Sequence, residues 1–168
     1  MIVLGIDPGY AIVGYGVVNY NANRFQIIEY GAVTTEAKTP FTDRLLKIYS
    51  GVTEIIKRTK PDALSIEKLF FNTNTTTAID VAQARGVILL AARENGVPVF
   101  EYTPLQVKSA VTGYGKAEKR QVMEMTKNLL GLKAVPKPDD TADALAIAIC
   151  HAHSAGSLLG LMNSGGRI

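Results

Sequence analysis

The segment LGIDPGYAIVGYGVV, residues 4–18, decides the fold because a carboxylate separates two apolar runs. Ile2–Ile6 is continuously apolar, which is typical of a central strand covered on both faces. Asp7 ends this strand, and Pro8 and Gly9 then turn the chain into the second run. A carboxylate in such a place is costly to desolvate unless it is paired or bound to a metal. Asp7 is therefore either a turn aspartate or part of a site.

The composition is that of an ordinary globular domain. The chain has 168 residues, 47% of them hydrophobic, so we expect one domain over 1–168, with a flexible tail at its last few residues. The net charge of +3 is compatible with a polyanionic partner. Cys150 is the only cysteine, which excludes an intramolecular disulfide and favours a cytoplasmic setting. The apolar stretch 142–161 contains Asp143 and two histidines, so it indicates a buried helix rather than a membrane span.

Strand and helix patterns follow one another in the order β-β-β-α-β-α-β-α. The expected strands cover 2–6, 14–19, 25–33, 63–67 and a segment from 97, and the expected helices cover 40–59, 76–95 and 139–161. Hairpins connect the first three strands and helices connect the later ones. This pattern predicts an α/β fold with a mixed sheet flanked by helices. The first strand and the ALSIE strand, 63–67, would then be parallel neighbours near the middle.

Three further acids are candidates for a site shared with the first strand. Glu67 ends the apolar strand ALSIE, just as Asp7 ends the first strand. Asp140 and Asp143 open the last helix three residues apart, so both can point the same way, whereas Asp139 is better interpreted as the N-cap. Each acid also has a plain explanation, because strand ends are solvated and a helix dipole favours acids at its N-terminus. That explanation fits Asp143 least well, since its neighbours look buried.

Four carboxylates in one place repel one another. Because the sequence offers no competing cluster of cysteine or histidine, hard divalent cations such as Mg²⁺ or Mn²⁺ are the natural counter-ions. Two such ions would neutralise four negative charges and would form the clamp used for in-line attack on a phosphodiester.

Long segments of the chain resemble the RuvC family of Holliday junction resolvases. They occur in that family's order and are GIDPG, SIEKLFF, AQARGV, EYTPLQVKSAVTGYGKAEKRQV and DDTADALAIAICHAH. The resemblance implies an RNase H-like fold, a homodimer, cooperation with the RuvAB branch-migration complex, and symmetric paired nicks in four-way DNA junctions that leave 5′-phosphate and 3′-hydroxyl ends. The family's four acidic metal ligands match Asp7, Glu67, Asp140 and Asp143.

Residues 108–137 form a basic region, with seven lysines and arginines against two glutamates. Such a cluster is either a solvated helix face or a surface that contacts phosphate. The resemblance favours phosphate contact for Lys108 and Lys119, and Lys116 and Arg120 are weaker candidates. The sequence GYGK within this region, 113–116, lacks the Walker pattern and is interpreted as a flexible turn that contacts DNA.

Several other residues have a structural and a functional interpretation. One of Phe70 and Phe71 is expected to be a core residue, and the resemblance matches Phe70 to the family's aromatic residue that contacts unpaired bases near the crossover. His151 and His153 are interpreted as packing or surface residues and Cys150 as a small buried apolar residue.

Two alternatives to a nuclease remain at this point. The first is an ATP-binding phosphotransferase of the actin-like kind, whose first phosphate loop also has an Asp-x-Gly run, although 168 residues leave no room for its second lobe. The second is a non-catalytic junction-binding module of the same fold. Four acids argue against this module, because pure binding gains nothing from repelling phosphate.

Overall fold

The apolar run that ends at Asp7 forms the central strand of a five-stranded sheet. The computed structural model describes residues 1–69 and 77–156. Its strands are β1 Ile2–Asp7, β2 Ile12–Asn21, β3 Arg24–Thr34, β4 Ala63–Glu67 and β5 Val99–Tyr102. Its helices are α1 Phe41–Thr59, α2 Ala78–Glu94, α3 Pro104–Thr112, α4 Lys119–Leu129 and α5 Asp139–Gly156. None of the helices in these ranges is long and apolar enough to cross a membrane.

The sheet is mixed, with the strand order β3-β2-β1-β4-β5. β1 pairs antiparallel with β2 and parallel with β4, and β4 pairs parallel with β5. The predicted mixed sheet and the predicted β1–β4 pair are therefore confirmed.

The alternation of side chains assigns the two faces of the sheet to different helices. On β1, Leu4 and Ile6 belong to the apolar cluster that also contains the buried side chains of α1 and α2. Gly5 points to the opposite face, where an added Cβ would lie 2.1 Å from the carbonyl oxygen of Ala144 on α5. On β4, Ser65 likewise faces α5, because its hydroxyl donates to the carbonyl oxygen of Ile147 at 3.2 Å. Odd-numbered residues of β1 and β4 therefore face α5.

The helices α3 and α4 were not predicted from the sequence, in which the region after β5 stands out only by its basic residues. Each begins with a capping box, Thr103 with Gln106 for α3 and Glu118 with Gln121 for α4. Both pack on α5 through an apolar cluster that includes Val107 and Val122. The capping signal was present in the sequence, but neither helix exceeds 11 residues, and short helices depend on tertiary packing for their stability.

Other boundaries differ only slightly from the predictions. β2 extends two residues further at each end than predicted, and β5 begins at Val99 rather than at 97. α5 begins at Asp139, so the prediction that this residue is the N-cap is wrong. Its carboxylate instead accepts a hydrogen bond from Lys137 Nζ at 2.6 Å, which lowers the pKa of Asp139. The end predicted for this helix, 157–161, lies outside the described residues.

Candidate active site

The fold brings the two predicted strand-end acids to the same end of the sheet. Asp7 is the last residue of β1, and in the parallel β1–β4 register Ile6 pairs with Ile66, so Glu67 ends the neighbouring strand beside it. Both acids are odd-numbered and so lie on the α5 face of the sheet. On the other side of β1, Asp7 pairs with Gly14 of β2.

Gly14 is the reason that the helix α5 can approach Asp7. A Cβ on Gly14 would lie only 2.0 Å from the carbonyl oxygen of Asp140, so any other residue would push the first turn of α5 off the sheet. The β1–β2 pair and α5 thus place Asp140 next to Asp7. The half-buried Asp143 follows one turn later, among the fully buried neighbours that the sequence predicted.

The electrostatics show that the acids interact. Burial raises the pKa of Asp7 to about 7, and repulsion by Asp143, Glu67 and Asp140 adds to the increase. Burial also raises the pKa of Glu67, with repulsion by Asp143 as the next cause. These shifts mean that the fold holds carboxyl groups where their ionisation is unfavourable, which is expected of functional sites.

Lysines on α3 and α4 oppose this negative charge. Lys119 Nζ lies 2.9 Å from Asp143 Oδ2, and this ion pair raises the pKa of Lys119. Attraction to Lys108 and Lys119 offsets part of the increase in the pKa of Glu67. The two lysines line one cleft together with residues of β4, α3, α4 and α5, namely Glu67, Pro104, Val107, Val122, Asp143 and Ala146. Lys116 and Arg120 are exposed and are not among the residues that line this cleft.

The donor chemistry of the four acids fits a hard divalent cation. All the side-chain donors are carboxylate oxygens, which Mg²⁺ and Mn²⁺ prefer, and the cost of ionising Asp7 and Glu67 is what a bound cation would relieve. Within residues 1–69 and 77–156, no three acidic, histidine or cysteine side chains already converge closely enough to hold a metal ion. Binding would therefore require the carboxylates to turn toward a shared ion.

Two features of the site were missed by sequence reasoning. Lys68 follows Glu67 directly and lines a second cavity with Asp7 and Glu67. Its position next to a candidate acid was the available signal. The other feature is the buried Arg44 of α1, whose Nε donates to Thr35 Oγ1 at 2.8 Å and whose Nη2 donates to the carbonyl oxygen of Tyr10 at 3.2 Å.

The contacts of Arg44 fix the turn that follows Asp7. Thr35 Oγ1 also donates to the carbonyl oxygen of Tyr10, at 2.6 Å, so this oxygen accepts two hydrogen bonds. The Arg44 guanidinium lies 4.7 Å from the centre of the Tyr10 ring. An arginine of an amphipathic helix carries no sequence signal for such a role.

Comparisons with known proteins identify the family. The family model described as "Crossover junction endodeoxyribonuclease RuvC" matches residues 3–151. The chain belongs to the RuvC family. A RuvC of Ruminiclostridium cellulolyticum is 57% identical over 162 residues, which cover 95% of this chain and 98% of that protein. A RuvC of Clostridioides difficile is 57% identical over 167 residues, which cover 99% of each chain.

The solved structures agree with this membership of the RuvC family. RuvC of T. thermophilus in complex with Holliday junction substrate has a TM-score of 0.92 and 38% identity, and the match covers 100% of this chain and 99% of that chain. The fold is therefore the RNase H-like fold of RuvC, as the resemblance implied. The yeast mitochondrial resolvase Ydc2 shares the fold alone, with a TM-score of 0.62 at 16% identity.

Membership of the RuvC family confirms that the chain is an enzyme, a hydrolase that acts on phosphodiester bonds. Nucleases of this RNase H-like kind are usually metal-dependent. The relatives do not support either alternative, the actin-like phosphotransferase or the non-catalytic module.

The remaining sequence-based predictions have mixed outcomes. His151 is buried, and its Nδ1 shares a hydrogen bond of 2.8 Å with the Tyr102 hydroxyl, while burial lowers the pKa of His151 to about 4. His153 Nδ1 donates to the carbonyl oxygen of Ala110 at 3.0 Å, and Cys150 is buried. All three are packing residues, as predicted. Phe70 lies outside the described residues, as do Phe71 and residues 72–76.

Proposed function

We propose that this chain is a structure-specific endonuclease that resolves Holliday junctions by symmetric paired nicks. The proposal rests on the neighbouring positions of Asp7, Glu67, Asp140 and Asp143 at one end of the sheet, in a chain of the RuvC family. RuvC of T. thermophilus, with a TM-score of 0.92 to this chain, was solved with a Holliday junction substrate. The products carry 5′-phosphate and 3′-hydroxyl ends.

The four carboxylates would hold the metal, and we infer that they bind two Mg²⁺ ions, which Mn²⁺ can replace. A pair of such ions supplies an activated water and stabilises the leaving 3′ oxygen during in-line displacement. Asp7 and Glu67 are presented by paired strands, and Asp140 and Asp143 by a helix packed on those strands, so the ligands are positioned by rigid elements. Such positioning is what precise placement of a scissile phosphate requires.

The lysines of the cleft bind the substrate strand. Lys108 and Lys119 line the same cleft as Glu67 and Asp143, so a phosphate in this cleft lies between cations and the metal ligands. Lys119 can exchange its Asp143 partner for a phosphate oxygen when the carboxylate turns to a metal. Lys116 and Arg120, exposed on the same α3–α4 region, contact phosphates further along the strand.

Other parts of the proposal follow from family membership. We infer that the chain acts as a homodimer, because two symmetric nicks need two active sites, and that it cooperates with the RuvAB branch-migration complex. We also infer that 1–168 forms a single nuclease domain, and the single cysteine supports a cytoplasmic location. Phe70 would contact unpaired bases near the crossover.

One experiment separates this function from its competitors. A synthetic four-way junction, a linear duplex of the same sequence and ATP are each incubated with the protein in Mg²⁺ and in EDTA. We expect paired nicks only in the junction and only with Mg²⁺, and DNA ligase should reseal them. Equal cleavage of the duplex, or cleavage in EDTA, would contradict the proposal.

A further inference from the structure

The turn between α3 and α4, residues 113–118, holds an exposed aromatic ring on a fixed backbone. Tyr114 is 60% exposed. Its backbone N–H donates to Thr112 Oγ1 at 3.1 Å, and its carbonyl oxygen accepts from that same hydroxyl and from the backbone N–H of Ala117, each at 3.1 Å. The sequence predicted a flexible turn, but these hydrogen bonds and the buried Ala117 fix the backbone on both sides of the ring.

The turn also packs on the helix that forms one wall of the cleft. An added Cβ on Gly115 would lie 2.9 Å from Ser109 Oγ and 3.0 Å from Leu105 Cγ, so the turn folds back against this face of α3. Leu105 is itself 61% exposed and directly follows Pro104, which lines both cavities at the carboxylates. Tyr114 and Leu105 are therefore two exposed apolar side chains, one on this turn and one on the helix α3 against which the turn packs.

Basic residues flank Tyr114 along the chain, and they determine the kind of partner that fits it. Lys108 precedes the turn on α3, Lys116 lies in the turn, and Lys119 and Arg120 begin α4. Glu118, the acid of the turn, is engaged in the capping box of α4. A flat aromatic ring set among cations is suited to a nucleic-acid strand, whose phosphates meet the cations while a base stacks on the ring.

We propose that Tyr114 stacks on an exposed base of the DNA strand that enters the cleft and so holds this strand in register over the carboxylates. This inference rests on the proposed junction-cleaving function and adds a binding residue to it. The contact is apolar, so it contributes affinity that does not depend on counterion release. Because the backbone of the turn is already held by hydrogen bonds, little backbone freedom is lost when Tyr114 binds.

Substitution at Tyr114 distinguishes stacking from phosphate contact. Tyr114→Ala should weaken binding of a four-way junction by about five- to 140-fold, which corresponds to the loss of one stacked base. The slope of log binding constant against log salt should stay unchanged, because no charge is removed. Tyr114→Phe should bind like wild type. A Phe variant as weak as Tyr114→Ala would assign the contact to the hydroxyl and overturn the stacking proposal.

The chain contains no tryptophan, so Tyr114→Trp introduces a single tryptophan whose fluorescence reports on position 114. Leu46→Trp is a matched control, because Leu46 is 62% exposed but lies on α1, on the opposite face of the sheet from α5. Junction binding by each variant is measured independently by the anisotropy of a dye on the DNA. We expect the junction to quench the emission at position 114 and to protect it from acrylamide, with no change at position 46.

The outcomes separate this inference from the proposed function. If both variants bind the junction and neither tryptophan responds, Tyr114 does not stack on DNA and the inference is overturned while the function stands. The inference is also overturned if Tyr114→Ala binds as tightly as wild type. If the wild-type protein fails to bind junctions, the proposed function fails first, and the inference fails with it.

Discussion

The acids and the cations of the site come from two differently built regions. The acids stand on the frame, which we define as β1, β4 and the first two turns of α5, where strand pairing and the contact at Gly14 fix the backbone. The cations stand on the rim, which comprises α3, α4 and the turn between them. The rim packs on α5 rather than on the central strands. Acids of the frame are half-buried, whereas Lys116, Lys119 and Arg120 of the rim are exposed.

This difference separates chemistry from affinity. Asp7 and Glu67 are held where ionisation is unfavourable, so their natural role is to bind a cation. A lysine on the rim remains hydrated. It attracts a long polyanion by Coulomb forces, and added salt weakens this attraction. We therefore expect substitutions in the frame to remove cleavage and leave junction binding, and substitutions on the rim to weaken junction binding.

The largest effect is expected from neutralising the acids. Asp7→Asn, Glu67→Gln, Asp140→Asn and Asp143→Asn should each lower the single-turnover cleavage rate by more than about a hundredfold, since changing even the residues that orient metal ligands costs 10–100-fold. Junction binding should remain near that of wild type. Asp62→Asn, at an exposed acid outside the site, is the matched control. A variant that cuts at the wild-type rate would remove its residue from the ligand set.

A second prediction tests the frame through a residue that touches neither metal nor DNA. Gly14→Ala places a methyl group against the Asp140 backbone and should cost about 1–3 kcal/mol of stability. Cleavage of the folded protein should fall further, because α5 and its two acids are displaced. Gly86→Ala is the control, since nothing lies within 4 Å of a Cβ there, and it should raise stability slightly.

Thermal unfolding and cleavage are measured on both glycine variants, with cleavage assayed well below the melting temperature. Full activity of Gly14→Ala would show that the close approach of α5 to β2 does not position the acids.

The frame was largely predictable from sequence because it depends on local patterns. A short, mainly apolar run ending in an acid occurs twice, at Asp7 and Glu67, and two such runs in an α/β chain favour parallel neighbours. Asp140 and Asp143 share a helix face by spacing alone. The family resemblance supplied what these patterns did not, namely the RNase H-like fold and the grouping of all four acids as metal ligands.

The rim and the fine geometry could not be predicted in the same way. The ion pair between Lys119 and Asp143 joins residues of two helices whose packing no local pattern determines. The role of Gly14 depends on which backbone lies above it, and that is a tertiary fact. Arg44 looks in sequence like any polar residue of an amphipathic helix, yet it is 8% exposed and fixes the turn after Asp7.

Substitutions of rim lysines should change the salt dependence of junction binding, whereas substitutions in the frame should not. If Lys119 contacts a phosphate, Lys119→Ala should reduce the slope of log binding constant against log salt by about one unit. Lys57→Ala removes an exposed lysine from α1, on the opposite face of the sheet, and should leave the slope unchanged. The measurement is junction affinity at several salt concentrations. An unchanged slope for Lys119→Ala would show that its main role is to pair with Asp143.

The smallest effect, and the most direct test, concerns the unfavourable ionisation of Asp7. The pKa of Asp7 is raised from 3.8 to about 7 in the folded protein. The folded protein therefore loses stability relative to the unfolded chain as the pH rises from 3.8 to about 7, because Asp7 must give up its proton. Asp7→Asn removes the charge at nearly constant shape. In EDTA at pH 8, Asp7→Asn should therefore raise the melting temperature by several degrees, since each kcal/mol of stability corresponds to about 2–4 °C. At pH 5 the increase should be smaller.

The deciding measurement is the melting temperature of wild type and Asp7→Asn, each in EDTA and in Mg²⁺ at pH 8. We expect Asp7→Asn to melt at a higher temperature than wild type in EDTA. Adding Mg²⁺ should raise the melting temperature of Asp7→Asn less than that of wild type, because a ligand that binds the native state stabilises it. If Asp7→Asn instead melts lower than wild type in EDTA and gains as much from Mg²⁺, Asp7 serves the fold. The claim that β1 ends on a carboxylate in order to bind metal would then be contradicted.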